Sequence, residues 1–175
     1  YEENFPIAIN FLEIEKIYSS WHKELKIIYL LEGQVSLDCK KEKYFLEEND
    51  FFIVNSYDLI DIQTISLNKT IVLEVLIDNI FLNKLYEKIS SIKFYSYSKD
   101  TNIESFKYEK IRFLISKILN KTVNRKVDSK ILIYKQLINL TLYLVNNFKI
   151  EGEIIEKDMS NKYRLMKILN FIESN

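Results

Sequence analysis

Between Ser20 and Ile62 the chain is a succession of short apolar runs separated by turn pairs, and few folds accept that rhythm. Leu25-Lys26-Ile27-Ile28-Tyr29-Leu30-Leu31, Val35-Ser36-Leu37, Tyr44-Phe45-Leu46 and Phe51-Phe52-Ile53-Val54 are rich in β-branched and aromatic residues. Glu32-Gly33 and Asn49-Asp50 punctuate them. Such residues pack well on a pleated surface, so the pattern predicts strands joined by tight turns. Residues 25–31 are apolar on nearly every position, odd and even alike, which predicts a strand covered on both faces. A closed or nearly closed small barrel provides that cover.

The same pattern predicts strands over 24–31, 34–39, 43–47, 51–54, 59–65 and 70–77, with one or two more within 6–18. The period then lengthens. Asp78 is placed to cap a helix over about 79–89. Residues 92–97 read as extended, and Thr101-Asn102-Ile103-Glu104 has capping-box spacing for a helix over about 102–120. Asp128 or Ser129 starts a helix to about 148, aligning Ile133, Leu137, Leu140, Leu144 and Phe148. Residues 149–160 form a charged connector broken at Gly152, and Ser160 caps a final amphipathic stretch carrying Leu165, Ile168, Leu169 and Ile172.

Composition narrows the function. Lys+Arg and Asp+Glu balance at 25 each, whereas a domain that grips nucleic acid usually carries a basic excess. At 47% hydrophobic, with 2 Gly and 1 Pro, the chain is suited to a packed core and not to disorder. No apolar run approaches the ~20 residues of a membrane span. A lone Cys39 forms no internal disulfide and suits a reducing cytoplasm; the polar start reads as no signal peptide. Gly33 and Gly152 cannot build a phosphate loop, and Cys39 has no second histidine to activate it. Catalytic residues are therefore not expected.

Three residues stand out as candidates for chemistry. His22 is the only histidine, and reads either as part of a barrel wall or as a hydrogen-bonding group for a small ligand. Lys26 shares its parity, so both face one side. If that side is the interior, the buried ammonium needs a partner, and an anionic or polyhydroxyl ligand would supply one; if the strand end is open, Lys26 sits in water. Trp21, beside His22, is the aromatic most suited to a pocket mouth.

The order of these motifs resembles the sensor domain of AraC/XylS-type transcription regulators, a double-stranded β-helix (cupin) fold. There a His-x-His-x-x-x-Glu motif precedes a strand ending in Leu-Glu-Gly; here the frame reads Ser20, His22 and Lys26, then Leu31-Glu32-Gly33. The second motif, Gly-Asp, a short strand, Asn-Pro and a later His, reads Asn49-Asp50, Phe51 to Val54, Asn55-Ser56 and Ile60. Lys26 repels a cation and Ile60 cannot coordinate one, so neither metal nor other cofactor is expected.

The resemblance implies an α+β chain: a cupin-like barrel over 1–77, a helical hairpin for dimerisation over 78–148, a connector over 149–160, and the first helix of a DNA-binding domain over 161–175. The reading helices would lie beyond Asn175. An effector would bind near Ser20, Trp21, His22, Lys26 and Ile60. Two copies would meet through Ile133, Leu137, Leu140, Leu144 and Phe148, on a helix apolar nearly all round. The partners implied are a small-molecule effector, a second copy, and DNA only through the C-terminal part. A metal-poor cupin enzyme acting on a sugar-like molecule, or a dimerisation module without ligand, stand as alternatives.

Overall fold

A computed structural model describes residues 5–15, 17–67, 69–100, 103–124 and 128–150. The expected connector beyond 150 and the expected helix at 161–175 lie outside the described residues. Eight strands come first: β1 (Ile7–Glu13), β2 (Ile17–Trp21), β3 (Leu25–Glu32), β4 (Val35–Cys39), β5 (Glu42–Leu46), β6 (Phe51–Val54), β7 (Leu59–Thr64) and β8 (Ile71–Ile77). Three helices follow: α1 (Asn79–Leu85), α2 (Ser105–Val123) and α3 (Ser129–Asn147), with a 3-10 turn at Ile89–Ser91.

The strands form two antiparallel sheets, ordered β1-β8-β3-β6 and β2-β7-β4-β5. Chain neighbours thus alternate between sheets except at β4 and β5, which form a hairpin within the second sheet. Turn chemistry supports this path. Lys40 and Lys41 take φ of 52° and 69°, as a two-residue hairpin turn between β4 and β5 requires. Gly33 sits at φ 90°, where a Cβ would fall 2.7 Å from Thr70 Oγ1, so the turn after β3 needs glycine on two counts.

The two faces of β3 explain its unbroken apolarity. Ile28 and Leu30 face the second sheet and pack with Leu37, Leu46, Phe52 and Ile62 in the barrel interior. Leu25 and Ile27 belong to a second cluster with Ile53, Leu73, Val75, Ile111, Leu137 and Phe148. The helices therefore cover the outside of the first sheet, and α2 and α3 pack against each other there.

Helix starts were partly legible. Asp78 caps α1, its carboxylate accepting from Phe81 N at 2.9 Å. The helix stops at Leu85, short of the expected 89. The next helix starts at Ser105, with Glu104 as N-cap and no side-chain capping bond, so Glu104 is not the third residue of a capping box. A tertiary link holds α2 instead: Arg112 Nε donates to Asn49 O at 2.8 Å, while the buried Asp50 pairs with Lys99 Nζ at 2.7 Å.

On α3 the stripe Ile133, Leu137, Leu140, Leu144 and Phe148 is buried against α2 and the first sheet. This corrects the expected dimer seam: the chain itself covers those five side chains. Between them lies Thr141, also buried, whose Oγ1 has no hydrogen-bond partner among the described residues. A hydroxyl left unpaired in an apolar layer costs stability, so Thr141→Val is expected to stabilise the fold by roughly 1 kcal/mol. Chemical denaturation checks this; a destabilised variant would show that the hydroxyl is satisfied in solution.

Candidate ligand-binding site

The space between the two sheets is largely apolar, with a group of polar side chains from both sheets near one edge. Strand parity puts Lys26 on the inner face with Ile28, and Glu74 lies directly across from Ile28 in the register of β8. Asn10 of β1 stands opposite Glu74. From the facing sheet, β2 directs Tyr18 and Ser20 inward, alternating with the exposed Ser19, which bonds Asp61 outside.

These residues make one connected cluster. Lys26 Nζ lies 2.5 Å from Glu74 Oε1 and donates to Ser20 Oγ at 2.7 Å. Asn10 Nδ2 donates to Glu74 Oε2 at 3.1 Å, and Tyr18 OH reaches Oε1 at 3.4 Å. The Lys26 ammonium also stands 5.8 Å from the centre of the Tyr18 ring. Lys26 and Glu74 are 1% and 2% exposed. Asn10 is exposed and Tyr18 and His22 half-buried, so the cluster reaches solvent through uncharged groups. β1 and β2 are edge strands of their sheets, which leaves this flank of the barrel the less covered one.

Electrostatics follow from burial. Desolvation pushes the Lys26 ammonium below the ordinary lysine value, with Glu74 acting against that shift. Burial alone would raise Glu74, but hydrogen bonds from Lys26 and Asn10 outweigh it and hold the carboxyl below its usual range. Burial, and then the neighbouring Lys26 charge, hold His22 below the ordinary imidazole value. His22 is thus neutral at pH 7, and its Nδ1 stands 3.9 Å from Glu24 Oε2, beyond a direct hydrogen bond.

The sequence candidates fare unevenly. Ser20 and Lys26 are brought together, with His22 beside them. Ile60 sits opposite Ser20 in the β2–β7 register, but it packs in the apolar interior with Cys39 and Ile62 and offers no polar group. Trp21 has the opposite parity to Ser20, faces out of the second sheet and lies 5.9 Å from Tyr57. It is not part of the cluster. Lys26 is interior, and the partner it needs is Glu74 of the same chain. Glu74, Asn10 and Tyr18 were missed. The available signal was Glu74 itself, the one charge in the apolar run 71–77.

Other chemistry is ill served. Among the described residues no three His, Cys, Asp or Glu side chains are grouped as metal ligands require. The residues in the ligand frame, Ser20, Lys26 and Ile60, do not fit a metal on donor type alone. Burial, then Asp58, pushes the Cys39 thiol up to about 11, away from nucleophilic use at neutral pH. An open groove of about 400 Å³ lies apart from the cluster, lined by Glu32, Gly33, Gln34, Glu47, Glu48, Ser66 and Lys69.

Comparison with known proteins bears on this geometry. Residues 18–75 match the family model of the AraC-like ligand binding domain. The match runs from Tyr18 to Val75, so it takes in every member of the cluster except Asn10. The chain also resembles solved cupin structures. One is a cupin domain from Schizosaccharomyces pombe, 14% identical with a TM-score of 0.43 over 48% of this chain and 64% of that one. Another is a cupin superfamily protein from Desulfitobacterium hafniense, 12% identical with a TM-score of 0.40, covering 44% of this chain and 72% of that one. A third similar structure, not described as a cupin, is the EutQ protein of Clostridium difficile, 11% identical with a TM-score of 0.37 over 41% of this chain and 56% of that one. The chain thus spans less than two thirds of the first and third. No curated protein sequence matches it. Among the described residues, no helix is long and apolar enough to cross a membrane.

Proposed function

We propose that this chain is the ligand-sensing and dimerisation part of an AraC-type transcription regulator, without enzymatic activity, whose DNA-binding part follows residue 175. The observation that carries the reading is the family match over 18–75, which includes the buried Lys26–Glu74 pair. A ligand at the mouth would touch Asn10, Tyr18 and His22 and draw on Lys26 and Glu74 beneath. Lys26 and Glu74 belong to the sheet whose opposite face carries α2 and α3. Binding that favours one arrangement of that sheet would be felt by the helices, which is the differential affinity that coupling requires.

Dimerisation is proposed through a different stripe of α3 from the one read off the sequence. Ile131, Ile138 and Leu142 remain 73%, 37% and 48% exposed, at the spacing of a coiled-coil seam.

The experiment is to read the native open frame past Asn175 for about a hundred codons, one small domain. Two helix-turn-helix patterns with a basic excess are expected there. A stop codon close behind Asn175 would remove transcriptional control. The tightly packed interior formed by Leu37, Leu46, Phe52 and Ile62 favours a second reading, a dimerisation module that senses nothing. Ligand-induced stabilisation that disappears on altering Lys26 and Glu74 would exclude it.

A further inference from the structure

We propose that the ligand admitted at the Lys26–Glu74 cluster carries no net charge; this deepens the sensing reading above and rests on it. The sequence left an anionic and a polyhydroxyl ligand both open for Lys26, and the ion pair with Glu74 favours the uncharged one. Lys26 Nζ and Glu74 Oε1 are 2.5 Å apart and both side chains are almost wholly buried, so the site is already neutral. An anion that drew Lys26 away would strand the Glu74 carboxylate beside Ile28 and Leu76, and a cation would strand Lys26 in the same way. Either outcome leaves an unpaired charge out of water, a cost a small ligand recovers poorly.

The groups nearer solvent point the same way. Asn10 offers an amide, Tyr18 a hydroxyl and His22 a neutral imidazole, all dipoles suited to uncharged hydrogen-bonding groups. Of the three Lys26 donors, Glu74 and Ser20 occupy two, leaving one for a ligand acceptor. Glu24 beside His22 disfavours an anion further. A net-neutral molecule with several donors and acceptors, zwitterions included, can therefore enter without breaking the charge balance.

The test uses thermal unfolding of the wild type, Glu74→Gln, and the double variant Lys26→Met with Glu74→Leu. Acetate and phosphate are compared with chloride at matched ionic strength. Wild type and double variant are expected to respond within about 1 °C, while Glu74→Gln, with Lys26 unbalanced, gains roughly 5 °C from acetate. If Glu74→Gln does not fold in chloride, its refolding yield in acetate is read instead. In parallel, a fragment collection sorted by formal charge is screened on the wild type. Hits lost in the double variant are expected to be net-neutral. Anionic hits of that kind would overturn the inference and leave the sensing reading standing. No such hit of any charge, together with a Glu74→Gln protein indifferent to acetate, would overturn the sensing reading itself.

Discussion

Lys26→Met is expected to destabilise the protein by about 3–5 kcal/mol, because it leaves the Glu74 carboxylate buried with only Asn10 and Tyr18 to satisfy it. Most of that loss should return when Glu74→Leu is added. A buried ion pair spends nearly all its mutual attraction on the desolvation of its two members, so replacing both by apolar side chains of similar volume is often neutral or better. The double variant is therefore expected within about 1 kcal/mol of wild type, or above it. Urea unfolding of the four proteins of the cycle measures both numbers and the coupling between the sites. A single variant that loses less than 1 kcal/mol would mean that water reaches Glu74, and that the pair is not the closed unit described above.

The second large effect separates two stripes of α3. Leu137 is fully buried between α2 and the first sheet, and Leu137→Ala is expected to cost about 3–4 kcal/mol at any protein concentration. Ile138 and Leu142 face outward, and changing both to Ser should leave the stability of a dilute monomer within about 0.5 kcal/mol. The same pair of changes should shift the mass of the concentrated protein from dimer towards monomer in sedimentation. If instead the outward pair leaves association untouched while the protein is dimeric, the seam lies elsewhere.

Much of the β frame was legible because its signals are local. Apolar runs, the Glu32-Gly33 and Asn49-Asp50 turns and the double-sided apolarity of 25–31 each depend on residues close in sequence. The side that Lys26 shares with His22 follows from parity in the same way, but parity does not say whether that side is the interior. What parity cannot supply is the neighbour across the sheet. Lys26 meets Glu74 only because β8 lies beside β3 at a particular register, and no short-range pattern encodes that pairing.

Trp21 is a different case. Its alternation with Ser20 already turned it away from the interior, and adjacency to His22 was the wrong guide. On α3 the most regular apolar stripe reads, from the sequence, as the seam between copies. Regularity there reflects the sheet beneath it, and the outward residues are the sparser set, Ile131, Ile138 and Leu142.

The interleaving of the two sheets also governs the order in which the protein can be made. β3 lies between β6 and β8, and β1 pairs only with β8, so Asn10 waits for Glu74, 64 residues downstream. As the chain leaves the ribosome, β1 has no partner and Lys26 no counter-charge until Ile77 has emerged. Long-range pairing of this kind closes slowly and leaves apolar strand exposed in the meantime. A nascent chain stalled before β8 would leave the β8 edge of β3 unpaired and its outer face uncovered by α2 and α3, and is the species a chaperone or protease would meet first.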